Sequence, residues 1–210
     1  RAHPRGRRRL RGVVVELGPS ARGVKVGDRV MVHHYRGCGT CKHCLAGWAQ
    51  LCARGAVLYG TGLPGGHEEY MVCPDVACVP MPEGLSFEGG ASCSCGTGTA
   101  YQALRRLAVS GLDTLAIFGQ GPVGLSATLL GKAMGARIIA IDTVAERLEM
   151  AKRFGADEVL DARGGDPVDA IHDLTGGEGA DATLDCTGVE TARVNTLKAA
   201  KIWGRACFVG

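Results

Sequence analysis

Two different hydrophobic patterns follow one another along this chain. Up to about Ser94, short β-branched runs are separated by glycine and proline, which predicts an all-β region. Its predicted strands are Gly12–Leu17, Arg29–Val32, Glu69–Val72 and Ala77–Pro80. From Thr99 onward, apolar runs of strand length alternate with helical periods, which predicts βαβ units and a parallel sheet. We therefore expect two domains, residues 1–95 and residues 96–210.

The second half is predicted to be a doubly wound α/β fold. Its predicted strands are Thr114–Phe118, Arg137–Ile141, Glu158–Leu160, Ala182–Asp185 and Ala206–Val209, and its predicted helices are Pro122–Met134, Val144–Phe154, Asp166–Leu174 and Thr191–Ile202. A complete dinucleotide-binding fold of this kind usually has six strands. Because five are predicted here and the chain lacks an initiator methionine, we expect a sequence that is truncated at both ends.

Composition and charge narrow the class of protein. A hydrophobic content of 46% with 21% charged residues is ordinary for a globular domain. No apolar run approaches the roughly 18 residues that a membrane-spanning helix needs, so we expect no membrane partner and a cytoplasmic location. Six of the first eleven residues are arginine, but no aromatic residues are interleaved with them. Nucleic-acid binding is therefore not expected.

Four cysteines lie within fifteen residues and carry the sharpest chemical signal. Cys38, Cys41, Cys44 and Cys52 are separated by two, two and seven residues, a spacing that lets four thiolates surround one tetrahedral zinc. Buried or disulfide-bonded cysteines are the alternative, although this polar, glycine-rich segment suits a core poorly. Four thiolates leave no open position on the metal, so the predicted zinc is structural. The nearby histidines, His33, His34 and His43, are predicted to lie on the surface.

A glycine motif follows the first predicted strand of the second half. Gly119, Gly121 and Gly124 form a G-x-G-x-x-G pattern that also contains Pro122 and Val123 and opens a helix. The first glycine permits the tight turn, the second lets the backbone approach a pyrophosphate, and the third allows close packing of helix on strand. This context predicts a dinucleotide-binding site.

Asp142 ends the second strand of that half, eighteen residues after Gly124. A carboxylate at this place accepts hydrogen bonds from an adenosine ribose and repels a 2′-phosphate, which favours NAD over NADP. The alternative is that Asp142 only caps the helix that follows.

Together these motifs resemble the medium-chain zinc-dependent alcohol dehydrogenases. The resemblance also includes the segment Gly65–Tyr70 and the segment Cys95–Tyr101, and it covers nearly the whole chain after Gly12. It implies a GroES-like β domain joined to a Rossmann domain, and a reaction in which hydride passes from an alcohol to NAD. The implied substrate is a secondary alcohol, a polyol or a threonine-like molecule, and the parent enzyme would be a homo-oligomer. Cys95 is implied as a catalytic zinc ligand, with the nearby Cys93 open as the alternative, and Thr99 is implied as a neighbour of the nicotinamide.

The chain departs from the family pattern at its beginning. Arg7, Arg8 and Arg9 stand where the family has a Gly-His-Glu motif, and the first cysteine ligand of the catalytic zinc is absent. The run Gly66-His67-Glu68 looks like a substitute, but it aligns with a different family segment. We therefore expect the activity of this chain to be impaired. Two other functions remain open: a zinc-independent quinone or enone reductase, and a non-enzymatic zinc-loop binding module.

Overall fold

The protein is described by a computed structural model that covers residues 10–66 and 68–210. The chain divides into two compact units, of which the first ends at Cys95 and the second begins at Gly96. No helix in the described part of the chain combines the length and the apolar character needed to cross a membrane.

The first unit contains short strands and little helix. Its strands are β1 (Leu10–Val13), β2 (Arg29–Val32), β3 (Tyr35–Arg36), β4 (Val57–Leu58) and β5 (Cys78–Pro80), and its helices are α1 (Lys42–Leu45) and α2 (Phe87–Ser92). An antiparallel sheet has the order β1-β2-β5, and β3 pairs separately with β4. A small apolar core packs on the larger sheet and contains Leu10, Val30, Val32, Tyr59 and Ala77.

Two predicted strands of this unit differ from the structure. The prediction of Glu69–Val72 as a strand is wrong: these residues form no strand, and Val72 is 94% exposed. The predicted strand Gly12–Leu17 ends early, at Val13. Val14 still exchanges hydrogen bonds with the segment before β2, since its N–H donates to Asp28 at 2.9 Å and its carbonyl oxygen accepts from Gly27 at 2.8 Å. Residues 15–18 form no strand. β-branched residues favour a strand only where a neighbouring strand can pair with them.

The second unit is a five-stranded parallel sheet with helices between its strands. The strands are β6 (Thr114–Phe118), β7 (Arg137–Asp142), β8 (Glu158–Asp161), β9 (Ala180–Asp185) and β10 (Ala200–Phe208). The helices are α3 (Gly98–Arg106), α4 (Pro122–Ala133), α5 (Ala145–Arg153), α6 (Pro167–Leu174) and α7 (Glu190–Lys198). The strand order β10-β9-β6-β7-β8 is the doubly wound order of dinucleotide-binding folds.

Both faces of the parallel sheet are buried, which explains the continuous apolar runs of its strands. Leu115 and Ile117 of β6 pack into one core cluster, and Ala116 and Phe118 of the same strand pack into the other. The strand order reverses between β6 and β9. The carboxyl ends of these two strands therefore form the crevice in which such folds bind their ligands.

The prediction for the last helix and strand is partly wrong. Helix α7 ends at Lys198 and not at Ile202, and β10 begins at Ala200. Ala199 is fully buried, and its carbonyl oxygen accepts a hydrogen bond from the N–H of Ala180 at 2.8 Å. Pairing with β9 therefore begins at this point, although the residues that follow also match the hydrophobic period of a helix. A register shift follows between Ala200 and Arg205, and Trp203 within it has a φ of 62°.

Candidate functional site

The four loop cysteines come together as one cluster. The Sγ atoms of Cys38, Cys41, Cys44 and Cys52 all lie within 4.8 Å of one another. Sulfurs around a tetrahedral zinc with Zn–S bonds of about 2.3 Å stand about 3.8 Å apart, so these thiols fit that metal after small movements. Among residues 10–66 and 68–210, this is the one group of three or more Cys, His, Asp or Glu side chains close enough to hold a metal ion.

Backbone N–H groups and neighbouring thiols set the charge of this cluster. The amide N–H of Cys41 donates to Cys38 Sγ and that of Cys38 donates to Cys52 Sγ, each at 3.3 Å. The backbone and hydroxyl of Thr40, followed by the backbone of Cys41, lower the pKa of Cys38 to about 5. The pKa of Cys44, although lowered by the backbone of Gly39, is raised to about 11 by desolvation and by the neighbouring thiols of Cys41 and Cys52. Ionisation of all four thiols therefore needs a nearby cation, which is the role zinc has in such a site.

The loop is built from turns that lack a core of their own. Helix α1 has no buried residue, and neither has the 3₁₀ turn Ala49–Leu51. Gly37 lies against the cluster, since a Cβ atom on it would stand 2.4 Å from Cys44 Sγ. The loop therefore closes tightly around the sulfurs.

The other candidate metal-binding residues lie apart from this cluster. His33, His34 and His43 are outside it, as the sequence predicted. The prediction that they are surface residues is wrong for His34, which is 8% exposed and packs its ring on Tyr35 with centroids 4.4 Å apart. Arg7, Arg8, Arg9 and His67 lie outside the described residues.

Cys95 and Thr99 lie on consecutive helical turns. Cys95 is half-buried in a π-helical turn, Cys93–Thr97, and Thr99 is half-buried near the start of α3. Cys95 belongs to no group of three potential metal ligands among the described residues. The predicted role of Cys95 as a ligand of a catalytic zinc is therefore not explained by the described residues around it.

The glycine motif forms the turn between β6 and α4. Gly119 has a φ of 89°, a conformation that favours glycine, and a Cβ on it would lie 2.7 Å from Thr187 Cγ2. A Cβ on Gly124 would lie 1.7 Å from the carbonyl oxygen of Gly119, so helix and strand can approach only if this residue is glycine. Pro122 occupies the first turn of α4, where its missing N–H costs no hydrogen bond.

Gly121 differs from the other two glycines. Its φ is −73°, which any residue adopts, and a Cβ built on it meets nothing within 4 Å. Neither the backbone conformation nor the packing requires glycine at this position. The open space fits the approach of a pyrophosphate to the backbone and to the N-terminus of α4, the role predicted for the second glycine.

Asp142 connects the glycine loop to the next helix. One carboxylate oxygen accepts from the N–H of Gln120 at 2.6 Å, and the other accepts from Thr143 and Val144 at 2.7 and 2.9 Å. Asp142 is 7% exposed, and Arg147 stands 3.6 Å from its carboxylate. The capping alternative is not supported, because Val144 is the N-cap of α5 and that helix has no side-chain cap bond; Asp142 instead holds the turn before it. The carboxylate stands at the edge of the sheet where a ribose would lie.

Asp185 and Thr187 belong to this crevice and were not predicted as site residues. The fully buried Asp185 accepts from the N–H of Thr187 at 2.9 Å and from its hydroxyl at 2.6 Å, and its second oxygen lies 3.9 Å from Arg193 Nε. Thr187 in turn lies against Gly119. The sequence contained a signal for Asp185, because an acidic residue at the carboxyl end of a predicted strand lies at the edge where such folds bind their ligands.

A cavity of about 430 Å³ opens at this edge of the sheet. Its walls include residues of the glycine loop and of the neighbouring elements, among them Gly119, Gly121, Asp142, Arg147, Thr187 and Asn195. Backbone groups, a carboxylate and a cation thus converge on one pocket, as a dinucleotide requires.

Comparison with known proteins gives a match in each of the two units. Residues 9–83 match the alcohol dehydrogenase GroES-like domain, and residues 122–210 match the zinc-binding dehydrogenase model. The chain belongs to the zinc-dependent alcohol dehydrogenase family. This membership confirms the predicted GroES-like and Rossmann architecture.

Three members of this alcohol dehydrogenase family illustrate the likeness. The uncharacterized zinc-type alcohol dehydrogenase-like protein YphC of Escherichia coli K12 is 44% identical over 69% of this chain and 41% of its own length. Alcohol dehydrogenase TADH from Thermus sp. ATN1 has a TM-score of 0.89 at 32% identity, over 95% of this chain and 60% of that one. An NAD-dependent alcohol dehydrogenase has a TM-score of 0.84 at 34% identity, over 94% and 58% of the two chains. The chain therefore spans less than two thirds of each of these relatives.

Proposed function

We propose that this chain is the zinc-loop and NAD-binding part of an oxidoreductase that transfers a hydride from an alcohol to NAD, giving a carbonyl. The observation that carries the proposal is the free space beside the backbone of Gly121, where a Cβ atom would meet nothing within 4 Å. Neither packing nor backbone conformation requires this glycine of the motif, so ligand binding is the remaining reason for it. Residues 1–95 would form part of the GroES-like catalytic domain, and residues 96–210 would form the NAD-binding domain.

The cofactor would be held mainly by the loop between β6 and α4. In this proposal Gly119, Gly121, Pro122, Val123 and Gly124 shape the turn, and the N–H groups at the start of α4 face the pyrophosphate. NAD, when bound, supplies a nicotinamide ring that accepts the hydride.

Asp142 would select NAD over NADP. Its buried carboxylate stands at the end of β7 and repels a 2′-phosphate. Arg147, 3.6 Å away, carries the opposite charge and is the one observation that favours NADP. Three backbone N–H groups hold the carboxylate of Asp142 in place beside the glycine loop. We therefore expect its negative charge to outweigh the positive charge of Arg147 where the ribose binds.

The zinc bound by Cys38, Cys41, Cys44 and Cys52 would be structural. Four protein ligands leave no coordination position for an alcohol, so this metal stabilises the loop and takes no part in the reaction. Its support is the geometry of the four thiols and their need for a balancing cation.

A catalytic zinc is not explained by the described residues. We keep Cys95 as a proposed ligand and Thr99 as a proposed neighbour of the nicotinamide, but Cys95 has no partner ligands among residues 10–66 and 68–210. We therefore expect the 210-residue chain itself to oxidise alcohols weakly or not at all. For the whole enzyme we propose a small-molecule substrate (a secondary alcohol, a polyol or a threonine-like molecule), a homo-oligomeric state, a cytoplasmic location and no nucleic-acid partner.

The proposal is tested by titrating the purified, zinc-loaded chain with NADH and with NADPH, following the nicotinamide fluorescence. We expect saturable binding of NADH that is at least about tenfold tighter than that of NADPH, as one repelled phosphate implies. Zinc analysis of the same sample should give about one metal per chain. A folded, zinc-loaded chain that binds neither nucleotide would contradict the proposal and favour the zinc-loop binding module, and tighter NADPH binding would contradict the role of Asp142.

A further inference from the structure

Two cysteines outside the zinc loop lie in contact with each other. Cys73 Sγ and Cys78 Sγ are 3.5 Å apart, and both are half-buried beside the core of the first unit. Neither residue belongs to the cysteine cluster or to the glycine crevice. From this geometry we infer that Cys73 and Cys78 form a redox-reactive dithiol, which low-molecular-weight disulfides oxidise to a reversible intramolecular disulfide.

The fold holds the two thiols in place before any reaction. Cys78 is the first residue of β5, paired with Val32 of β2. The segment between the two cysteines includes a 3₁₀ turn, Asp75–Ala77, whose carboxylate Asp75 accepts from the N–H of Arg22 at 2.6 Å. A disulfide requires the two sulfurs to approach by about 1.5 Å, a distance that side-chain torsions can supply. The fixed turn thus favours closure of the pair over reaction of either thiol with a second molecule.

The two thiols have different chemical characters. The hydrogen bond from the Cys73 thiol lowers the pKa of Cys78 to about 7, and the same contact, with burial, raises the pKa of Cys73. Cys78 is therefore the better attacking group near neutral pH, and Cys73 is the proton donor that reacts second.

The space around the pair admits a small oxidant. Both sulfur-bearing residues line a cavity of about 860 Å³ in the first unit. A buried, enclosed thiol would be inert, whereas a half-buried thiolate on a cavity wall is accessible to exchange.

The reaction balances with a small disulfide as the oxidant. The Cys78 thiolate attacks one sulfur of that disulfide, forms a mixed disulfide and releases one small thiolate. Cys73 then loses its proton and attacks Cys78 Sγ, which forms the Cys73–Cys78 bond and expels the second small thiolate. Two electrons pass from the protein to the oxidant, and the released thiolates take up the protons that the two cysteines lose.

The test uses the purified, zinc-loaded chain treated with excess glutathione disulfide and then quenched with iodoacetamide. Cleavage after Glu69 and Glu83 isolates a peptide, residues 70–83, that contains Cys73 and Cys78 and no other cysteine. We expect this peptide to be two hydrogens lighter and unalkylated after oxidation, and doubly alkylated after dithiothreitol. A peptide that stays doubly alkylated, or carries only glutathione, would overturn the inference.

Single variants test the order of the two steps. Cys73→Ser should accumulate a glutathione adduct on Cys78, whereas Cys78→Ser should react at least about fivefold more slowly, since the remaining thiol is protonated. Cys207→Ser, which changes another half-buried cysteine, is the matched control and should form the Cys73–Cys78 disulfide at the rate of the unmodified chain. Faster adduct formation on Cys73 than on Cys78 would contradict the assigned roles. If all three variants changed the rate of reaction with glutathione disulfide equally, the reaction would not be specific to Cys73 and Cys78.

Discussion

The cysteine loop proposed to bind zinc and the glycine loop proposed to bind NAD differ in how the rest of the protein supports them. The segment from Cys38 to Cys52 has short helical turns without buried residues, and in our proposal a metal holds its four sulfurs together. The turn from Gly119 to Gly124 lies between a strand and a helix that belong to the buried core. A loop supported by a core is formed before its ligand arrives, whereas a loop without one needs the ligand as part of its fold.

Removal of zinc should have the largest effect and should separate the two loops. Without the metal, the loop loses what holds its turns together, so trypsin should cut after Lys42 at least about tenfold faster. NADH binding by the second unit should stay within about twofold, because that crevice uses no zinc ligand. Proteolysis followed by mass spectrometry, with and without a chelator, measures the first effect and fluorescence titration measures the second. Equal protection with and without zinc would show that the loop is formed without its metal.

Gly124→Ala should distort the glycine loop by a steric clash within the protein, whether or not the cofactor is bound. The added Cβ would lie 1.7 Å from the carbonyl oxygen of Gly119, so α4 must move away from β6. We expect a loss of about 1–3 kcal/mol in the free energy of unfolding, measured by urea denaturation, together with lost NADH binding. The control is Gly165→Ala, whose Cβ meets nothing within 4 Å and which should change stability by less than about 0.5 kcal/mol.

Gly37→Ala should weaken zinc binding more than it weakens the fold. Its Cβ would stand 2.4 Å from Cys44 Sγ, so one ligand must leave its place. We expect zinc affinity, measured by competition with a chromogenic chelator, to fall about tenfold, as for other disturbed metal surroundings. Gly12→Ala, where a Cβ meets nothing within 4 Å, serves as the matched control in the same unit. Equal zinc affinity in the two variants would contradict the close fit of Gly37 on the cluster.

The stability of the second unit should respond to pH through His172. Its Nδ1 faces the carbonyl oxygen of Gly177 at 3.0 Å and its Nε2 faces that of Lys198 at 3.2 Å, and these two acceptors raise its pKa. Only the protonated ring can donate to both. Because the folded pKa lies above the unfolded value of about 6.5, the stabilisation is complete below that value and is lost as pH rises through the folded pKa.

Thermal unfolding of the chain and of His172→Gln measures this effect. We expect the melting temperature of the unmodified chain to exceed that of the variant more at pH 5.5 than at pH 8.5. A difference that is constant over this range, or larger at high pH, would show that the ring does not bridge the two carbonyls as a cation.

Gly121→Ala should leave stability almost unchanged and still weaken cofactor binding. A Cβ there meets nothing within 4 Å, so we expect less than about 0.5 kcal/mol in unfolding free energy. The methyl group would occupy the space proposed for the pyrophosphate, and NADH affinity should fall about tenfold or more. Unchanged affinity in this variant would place the pyrophosphate elsewhere.

The sequence by itself predicted the features that depend on local spacing. The cysteine spacing fixed which four thiols could meet, and the apolar runs of the second half gave strands such as Thr114–Phe118 at their observed bounds. Both signals are local: two-residue gaps limit how far two sulfurs can separate, and a strand buried on both faces must be apolar throughout. The family resemblance rested on the same motifs and was confirmed by the matches over both units.

Only the tertiary structure decided the features that depend on partners distant in sequence. Residues 69–72 have strand-like composition but no strand to pair with in the described structure, and residues 200–202 fit a helical period although they belong to β10. Asp142 bonds at once to the glycine loop and to the turn before α5, and Gly121 proved free of any packing role only when the surrounding atoms were known. Pairing, burial and contact are set by the folded neighbours of a residue, so spacing along the chain cannot supply them.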